Sequence, residues 1–141
     1  MKIKILIPVF NDWKSVFKLL DEVNQLSLEP TIQLSVIIIN DASNHDREDD
    51  EKKYENINSI KILNMKINQG HGRCIATGLK YIFEKEDFDY VIPMDGDGED
   101  RPEEIRNFIE LSQQAGDKSI IGERIKRSEG IIFKTCYQFH K

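Results

Sequence analysis

Val91-Ile92-Pro93-Met94-Asp95-Gly96-Asp97-Gly98-Glu99-Asp100-Arg101-Pro102 decides how the rest of the chain is read. An apolar, strand-like run breaks into alternating carboxylates and glycines and then into a helix start. An α/β protein presents acidic groups in this way at the carboxyl end of a strand. Side chains alternate in an extended segment, which predicts Asp95, Asp97 and Glu99 on one side, with Gly96 and Gly98 leaving the backbone open to a bulky ligand. Three converging carboxylates repel one another unless a cation lies between them. Oxygen ligands without His or Cys favour Mg²⁺ or Mn²⁺, and a cation held by one or two carboxylates keeps positions open for substrate phosphates. The plainer alternative is a solvated acidic turn, since acidic residues also favour turns and helix starts. Asp100, with Pro102 and Glu103 behind it, fits an N-cap of a helix that runs to about Gln114 and buries Ile105, Phe108 and Ile109.

Outward from this stretch the chain alternates. Asp89 to Met94 reads as a fourth strand. Lys2 to Val9, an almost continuous aliphatic run, reads as the first, with Asn11 as a helix cap behind it. Trp13, Val16, Phe17, Leu20 and Val23 then recur at helical spacing up to Leu26. Leu34 to Ile39 is a β-branched second strand, broken by Asn40-Asp41-Ala42-Ser43. Residues 44–55 are charged and poor in apolar residues, and are expected as a short exposed helix or a loop. Ile60 to Leu63 predicts a third strand, and Asn68-Gln69-Gly70-His71-Gly72-Arg73 opens a helix whose inner face carries Ile75, Leu79, Ile82 and Phe83. Lys118 to Ile121 predicts a fifth strand. Ile132, Phe133, Cys136 and Tyr137 recur at helical spacing in the tail.

Alternating strands and helices imply an α/β fold, an open and mostly parallel sheet with helices on both faces. Ligands of such sheets bind beyond the carboxyl ends of the strands. The segments Phe10-Asn11, Asn40-Asp41, Asn68 to His71 and Asp95 to Glu99 therefore gather at one rim.

The length of 141 residues suits one domain, and a net charge of -5 argues against a general nucleic-acid or anionic-membrane surface. Cys74 and Cys136 lie far apart and match no metal spacing, which favours reduced thiols in the cytosol. Met1 to Phe10 lacks the features of a signal peptide, and no run approaches the ~20 apolar residues that cross a bilayer.

The rim segments resemble the family-2 inverting glycosyltransferases, whose nucleotide-sugar domain has the GT-A fold. The resemblance rests on Ile7-Pro8-Val9-Phe10-Asn11, Ile39-Asn40-Asp41-Ala42-Ser43, Asn68-Gln69-Gly70-His71-Gly72 and Met94-Asp95-Gly96-Asp97-Gly98-Glu99-Asp100, in order and at the proper strand ends. The acidic pattern is similar to that of enzymes that load a sugar onto a polyprenyl phosphate, such as dolichyl-phosphate mannose synthases. The resemblance implies that Pro8 and Phe10 wall a base pocket, that Asp41 hydrogen-bonds the base, and that His71 contacts the nucleotide. Asp95 and Gly96 would face the ribose, or a metal through water, and Asp97 and Glu99 would hold Mg²⁺ or Mn²⁺. Arg124 and Arg127 match a basic pair suited to phosphates. Read from the residues alone, Asp41 also fits an Asx-turn, His71 a turn residue, and the two arginines a solvated loop.

The implied reaction is transfer of a sugar from a UDP- or GDP-sugar to a lipid-phosphate or saccharide acceptor, with inversion, in the synthesis of an envelope polysaccharide or glycolipid. It would take place in the cytoplasm or at the cytoplasmic face of the membrane. No catalytic base is identifiable. Asn40-Asp41-Ala42-Ser43 stands where the family has Asp-Asp-Gly-Ser, and the chain stops where the family continues into acceptor-binding elements. The expectation is a single nucleotide-sugar-binding domain over 1–141, incomplete at its carboxyl end, with membrane contact through the missing part or the lipid acceptor. One alternative is a nucleotide-sugar-binding module without turnover. Another is a nucleotidyltransferase, but Pro8-Val9-Phe10-Asn11-Asp12 stands where its glycine-rich basic loop would be, and no G-x-G-x-x-G supports a dinucleotide oxidoreductase.

Overall fold

The computed structural model describes residues 1–45, 47, 52–115 and 120. The elements follow in the order β1 (Lys2–Val9), α1 (Trp13–Asn24), β2 (Gln33–Asn40), β3 (Ser59–Asn64), α2 (His71–Lys85), β4 (Tyr90–Pro93) and α3 (Glu104–Ala115). Two units divide within α3. Met1–Asn107 carries the sheet, α1 and α2, and the second unit begins at Phe108. The expected fifth strand and the tail helix lie outside the described residues.

The four described strands are all parallel in the order β3-β2-β1-β4. β1 and β2 are central, and their aliphatic runs are the reason: Ile3, Ile5, Leu6, Ile7, Leu34 and Val36 through Ile39 are each at most 1% exposed. Burying one such side chain contributes roughly 1.5–3 kcal/mol. The register Ile5↔Val36 and Ile7↔Ile38 lines one face, and Leu6↔Ile37 and Pro8↔Ile39 the other. Pro8 costs no ladder bond. Leu6 O accepts from Met94 N and Val9 O from Asp41 N, so the amide position of Pro8 faces the β4 side, where pairing has already ended at Leu6↔Pro93.

α1 packs on the Ile7 face and buries Trp13, Val16, Leu19, Leu20 and Val23, while Phe17 stacks on Trp13 at 6.2 Å. Its cap is Asp12 rather than Asn11; the Asp12 carboxylate accepts from Ser15 N at 3.3 Å.

α2 covers the opposite face, where Leu6, Ile37, Ile39, Cys74 and Ile82 form one cluster. Its inner side is Cys74, Gly78 and Ile82, with Ile75 packed against the cluster, so the expected inner face holds at Ile75 and Ile82 and is corrected at Leu79 and Phe83. Leu79 is 41% and Phe83 79% exposed. The cause is Gly78: a Cβ there would lie 2.3 Å from Leu6 Cδ1 and 3.1 Å from Ile39 Cγ1, so the missing side chain lets the helix settle directly on the sheet. Among the described residues no helix is long and apolar enough to cross a membrane.

The sheet changes winding direction at β1. The chain moves outward from β1 through β2 to β3, then returns to place β4 on the other side of β1. That switch point, at the carboxyl ends of β1 and β4, is where open α/β sheets form a crevice.

Candidate functional site

The loops leaving β1 and β2 are tied together first. Asn11 adopts φ +60°, a conformation that asparagine tolerates better than most residues. Its N–H donates to Ser43 Oγ at 2.9 Å, and its Oδ1 accepts from the backbone N–H groups of Asn44 and His45 at 2.9 and 3.1 Å. Asn40 accepts from Ser43 N at 3.0 Å and donates to Asn64 Oδ1 at 2.9 Å, which joins the end of β2 to the end of β3. The sequence had placed Asn11 at the rim and read its side chain as a helix cap. An asparagine next to an independent cap residue was the available signal for this second role.

Asp41 comes next along the rim. It is 3% exposed, and its two oxygens accept from Gln69 N at 2.7 Å and Gly70 N at 2.8 Å. Burial pushes its carboxyl upward, but the Gln69 and Gly70 amides and the Cys74 thiol outweigh this and hold it below its ordinary value. The side chain therefore fixes the entry to α2. Gly70 caps that helix at φ +84°, and its carbonyl accepts from Arg73 N and Cys74 N.

His71, the first residue of α2, reaches across to the acidic turn, where its Nε2 lies 2.7 Å from Asp95 Oδ1. A carboxylate only accepts, so Nε2 carries the proton in this pair. The Asp95 N–H in turn donates to Asp100 Oδ2 at 2.8 Å. This bond closes the segment 95–100 into a loop and corrects the expected start of the next helix: α3 begins at Glu104, after a turn at Pro102 and Glu103.

The extended alternation expected for Asp95, Asp97 and Glu99 is also corrected. Gly98 takes φ +85°, and Asp97 Oδ1 accepts from Glu99 N at 2.9 Å, an Asx-type turn that breaks the period of two. Among the described residues no three His, Cys, Asp or Glu side chains are grouped to hold a metal ion. Gly96 has a packing reason as well, since a Cβ there would lie 3.0 Å from Val16 Cγ2 and 3.4 Å from Ile7 Cγ2.

Of the remaining expected residues, Pro8 is half-buried in β1 and Phe10 is 50% exposed just beyond it. Arg124 and Arg127 lie outside the described residues. The structure thus joins Asp41, His71 and Asp95 through one hydrogen-bonded path and places Phe10 and Gly96 at the two strand ends that border the crevice.

Fold and rim define an open, parallel α/β protein with a polar site at its switch point. The family model described as Glycosyl transferase family 2 matches residues 4–138, and the chain belongs to that family. Similar curated proteins include the undecaprenyl-phosphate 4-deoxy-4-formamido-L-arabinose transferases of Proteus mirabilis, 24% identical over 135 residues, and of Aeromonas hydrophila, 27% identical over 135 residues. The alignments cover 94% and 95% of this chain and 40% of each relative. An uncharacterised protein of Methanocaldococcus jannaschii is 25% identical over 122 residues, 84% of this chain and 50% of that protein. The chain thus spans half the length, or less, of these relatives.

Among solved structures, S. aureus TarS 1-349 superposes with a TM-score of 0.64 at 20% identity, over 91% of this chain and 39% of that one. Its complex with UDP-GlcNAc gives a TM-score of 0.63. The fold is GT-A.

Proposed function

We propose that the chain forms the donor-binding part of a glycosyltransferase that moves a sugar from a UDP- or GDP-sugar to a polyprenyl phosphate, with inversion at the anomeric carbon. The observation that carries this reading is the path from Asp41 through the α2 entry to His71 and Asp95, which makes three strand-end segments one rim. The names of the arabinose transferases support a lipid-phosphate acceptor, and the UDP-GlcNAc complex of TarS supports a nucleotide-sugar donor.

In this reading Phe10 and Pro8 wall the base and Asp95 faces the ribose. Transfer breaks the bond between the anomeric carbon and the diphosphate, whose oxygen keeps the electron pair. The new bond forms to an acceptor oxygen arriving from the opposite face. A polyprenyl phosphate brings an oxygen that is already anionic, so the chain needs no general base; a saccharide hydroxyl would need one. In this reading Asp97 and Glu99 would hold Mg²⁺ or Mn²⁺, since a cation beside phosphates takes only one or two protein carboxylates. Held there, the cation would supply positive charge to the leaving diphosphate. Arg124 and Arg127 complete the proposal as phosphate ligands of donor or acceptor.

Thermal unfolding of the chain with a panel of UDP- and GDP-sugars, with and without Mn²⁺, tests the reading. A ligand at 100 times its Kd stabilises by about 2.7 kcal/mol, which is a readily measured shift. Stabilisation that requires Mn²⁺ and is lost in Asp97→Ala is expected. Metal-independent stabilisation would sink the cation's role, and none with any nucleotide sugar would sink the reading.

A further inference from the structure

We propose that His71 is a positioning residue, acting on the donor through Asp95 rather than by touching it. This rests on the donor site proposed above and assigns a task within it.

The geometry comes from both ends of the pair. Asp95 sits where β4 has ended, in a turn whose main chain is pinned at Asp95 N by Asp100 Oδ2, 2.8 Å away, and whose next residue, Gly96, lies against Val16 and Ile7. These contacts fix the backbone but leave the carboxylate free to rotate. The contact that orients it is His71 Nε2, 2.7 Å from Oδ1. Among the described residues Oδ2 makes no hydrogen bond, so the pair leaves one oxygen of Asp95 to accept from a ligand hydroxyl.

His71 is itself held in place. It follows directly on Gln69 and Gly70, whose amides are gripped by the buried carboxylate of Asp41. The anchor of the imidazole is thus the end of β2, and its target is the end of β4, on opposite sides of β1 in the sheet.

The pair adds little to folding. The two side chains are 62% and 45% exposed, and exposed ion pairs contribute about 0–1 kcal/mol. Holding a ligand-facing carboxylate in one rotamer matters more for binding, because the cost of ordering it is then met before the donor arrives. Arrangement of this kind appears as a coupling between the two residues in ligand affinity.

A double-mutant cycle tests this. Affinity for the UDP- or GDP-sugar that stabilises the unaltered chain most is measured by calorimetry at fixed Mn²⁺ for the unaltered chain, His71→Ala, Asp95→Ala and the double variant, with thermal midpoints recorded for each. The expectation is a loss of about 5- to 30-fold for His71→Ala and less than about 2-fold further loss when it is added to Asp95→Ala. His71→Gln, whose amide nitrogen can stand where Nε2 stands and donate to Asp95, should recover most of the affinity. Equal losses in both backgrounds would mean that His71 meets the ligand directly, and would overturn the proposal. So would an unchanged affinity in His71→Ala, or a failure of His71→Gln to recover. If the unaltered chain binds no nucleotide sugar at all, the donor site falls and this assignment falls with it, whereas binding with additive losses removes only the assignment.

Discussion

The carboxylate of Asp41 accepts the Gly70 N–H at 2.8 Å, and with the neighbouring bond to Gln69 it sets where α2 starts. A residue at the end of β2 thereby determines where the first turn of a helix two elements later presents His71. Removing the carboxylate leaves two amides without their acceptor in a site that is 3% exposed. Asp41→Ala should therefore destabilise the chain by about 2–4 kcal/mol, and Asp41→Asn, which retains one acceptor, by less. Urea titration of the three proteins checks the order.

The same carboxylate predicts a pH dependence. Its value in the folded chain is lowered from the ordinary 3.8. The unfolded chain then binds the proton more readily than the folded one, so the stabilisation is complete above the ordinary range and is lost as the pH falls through the folded value. Stability measured between pH 6 and pH 3 should fall less steeply in Asp41→Asn than in the unaltered chain. Parallel curves would remove Asp41 from the acid response.

Gly78 should not tolerate alanine. In a helix interior alanine is favoured over glycine by about 1 kcal/mol, but the added Cβ would stand 2.3 Å from Leu6 Cδ1, with Ile39 Cγ1 at 3.1 Å closing the other side. Leu6 is fully buried and cannot swing into solvent. Overpacking of this kind costs about 1–3 kcal/mol, so Gly78→Ala should be net destabilising, and its cost should be smaller when measured in a Leu6→Ala background than in the unaltered chain. Denaturation midpoints of the single and double variants decide it.

The strands were legible in the sequence because β1 and β2 are buried on both faces, and uninterrupted β-branched runs have few other uses. The phase of α2 was legible only in part. Ile75 and Ile82 face the sheet as their spacing predicts, but Gly78 takes the place expected for Leu79 and Phe83 by letting the backbone itself approach Leu6, a gain that a hydrophobicity pattern does not record. The acidic turn was half legible. Its place at the end of β4 follows from the strand before it, but the spread of its carboxylates depends on Gly98 at φ +85° and on where Asp100 spends its oxygen. A capping pattern and a turn clamp use the same aspartate, and only tertiary contacts choose between them. The path through Asp41 and His71 joins residues 24 to 29 positions apart, beyond the reach of local patterns.

Cys74 is buried against the sheet, and burial together with the neighbouring Asp41 carboxylate pushes its thiol up to about 11. The thiolate is the reactive form, so almost none is present at pH 8. In a Cys136→Ser background, Cys74 should resist a disulfide-exchange reagent at pH 8 in the folded chain and react at once in urea. Rapid labelling without denaturant would show that α2 opens readily from the sheet.

Glu86 ends α2 at the opposite edge of the sheet from the candidate site. Its side chain, 8% exposed, pairs with Lys4 of β1 at 3.3 Å and with Lys61 of β3, so one carboxylate ties the helix to two strands. The Lys61 hydrogen bond, with Lys4 behind it, holds the Glu86 carboxyl below its ordinary 4.5 against the opposing effect of burial. Removing one partner of a buried pair costs about 3–5 kcal/mol, and the cost here should be nearer 2 because Lys61 is half in water. Glu86→Gln should lose less than Glu86→Ala, since the amide oxygen still accepts from one lysine. Because the folded value is the lower one, this contribution is present above pH 5 and is withdrawn in acid. The gap between unaltered chain and Glu86→Gln in urea should therefore narrow from pH 6 to pH 3. Ligand affinity should be unchanged in both variants, because this anchor lies at the amino-terminal edge of the strands, and a loss of donor binding would show that the far end of α2 also governs the placement of His71.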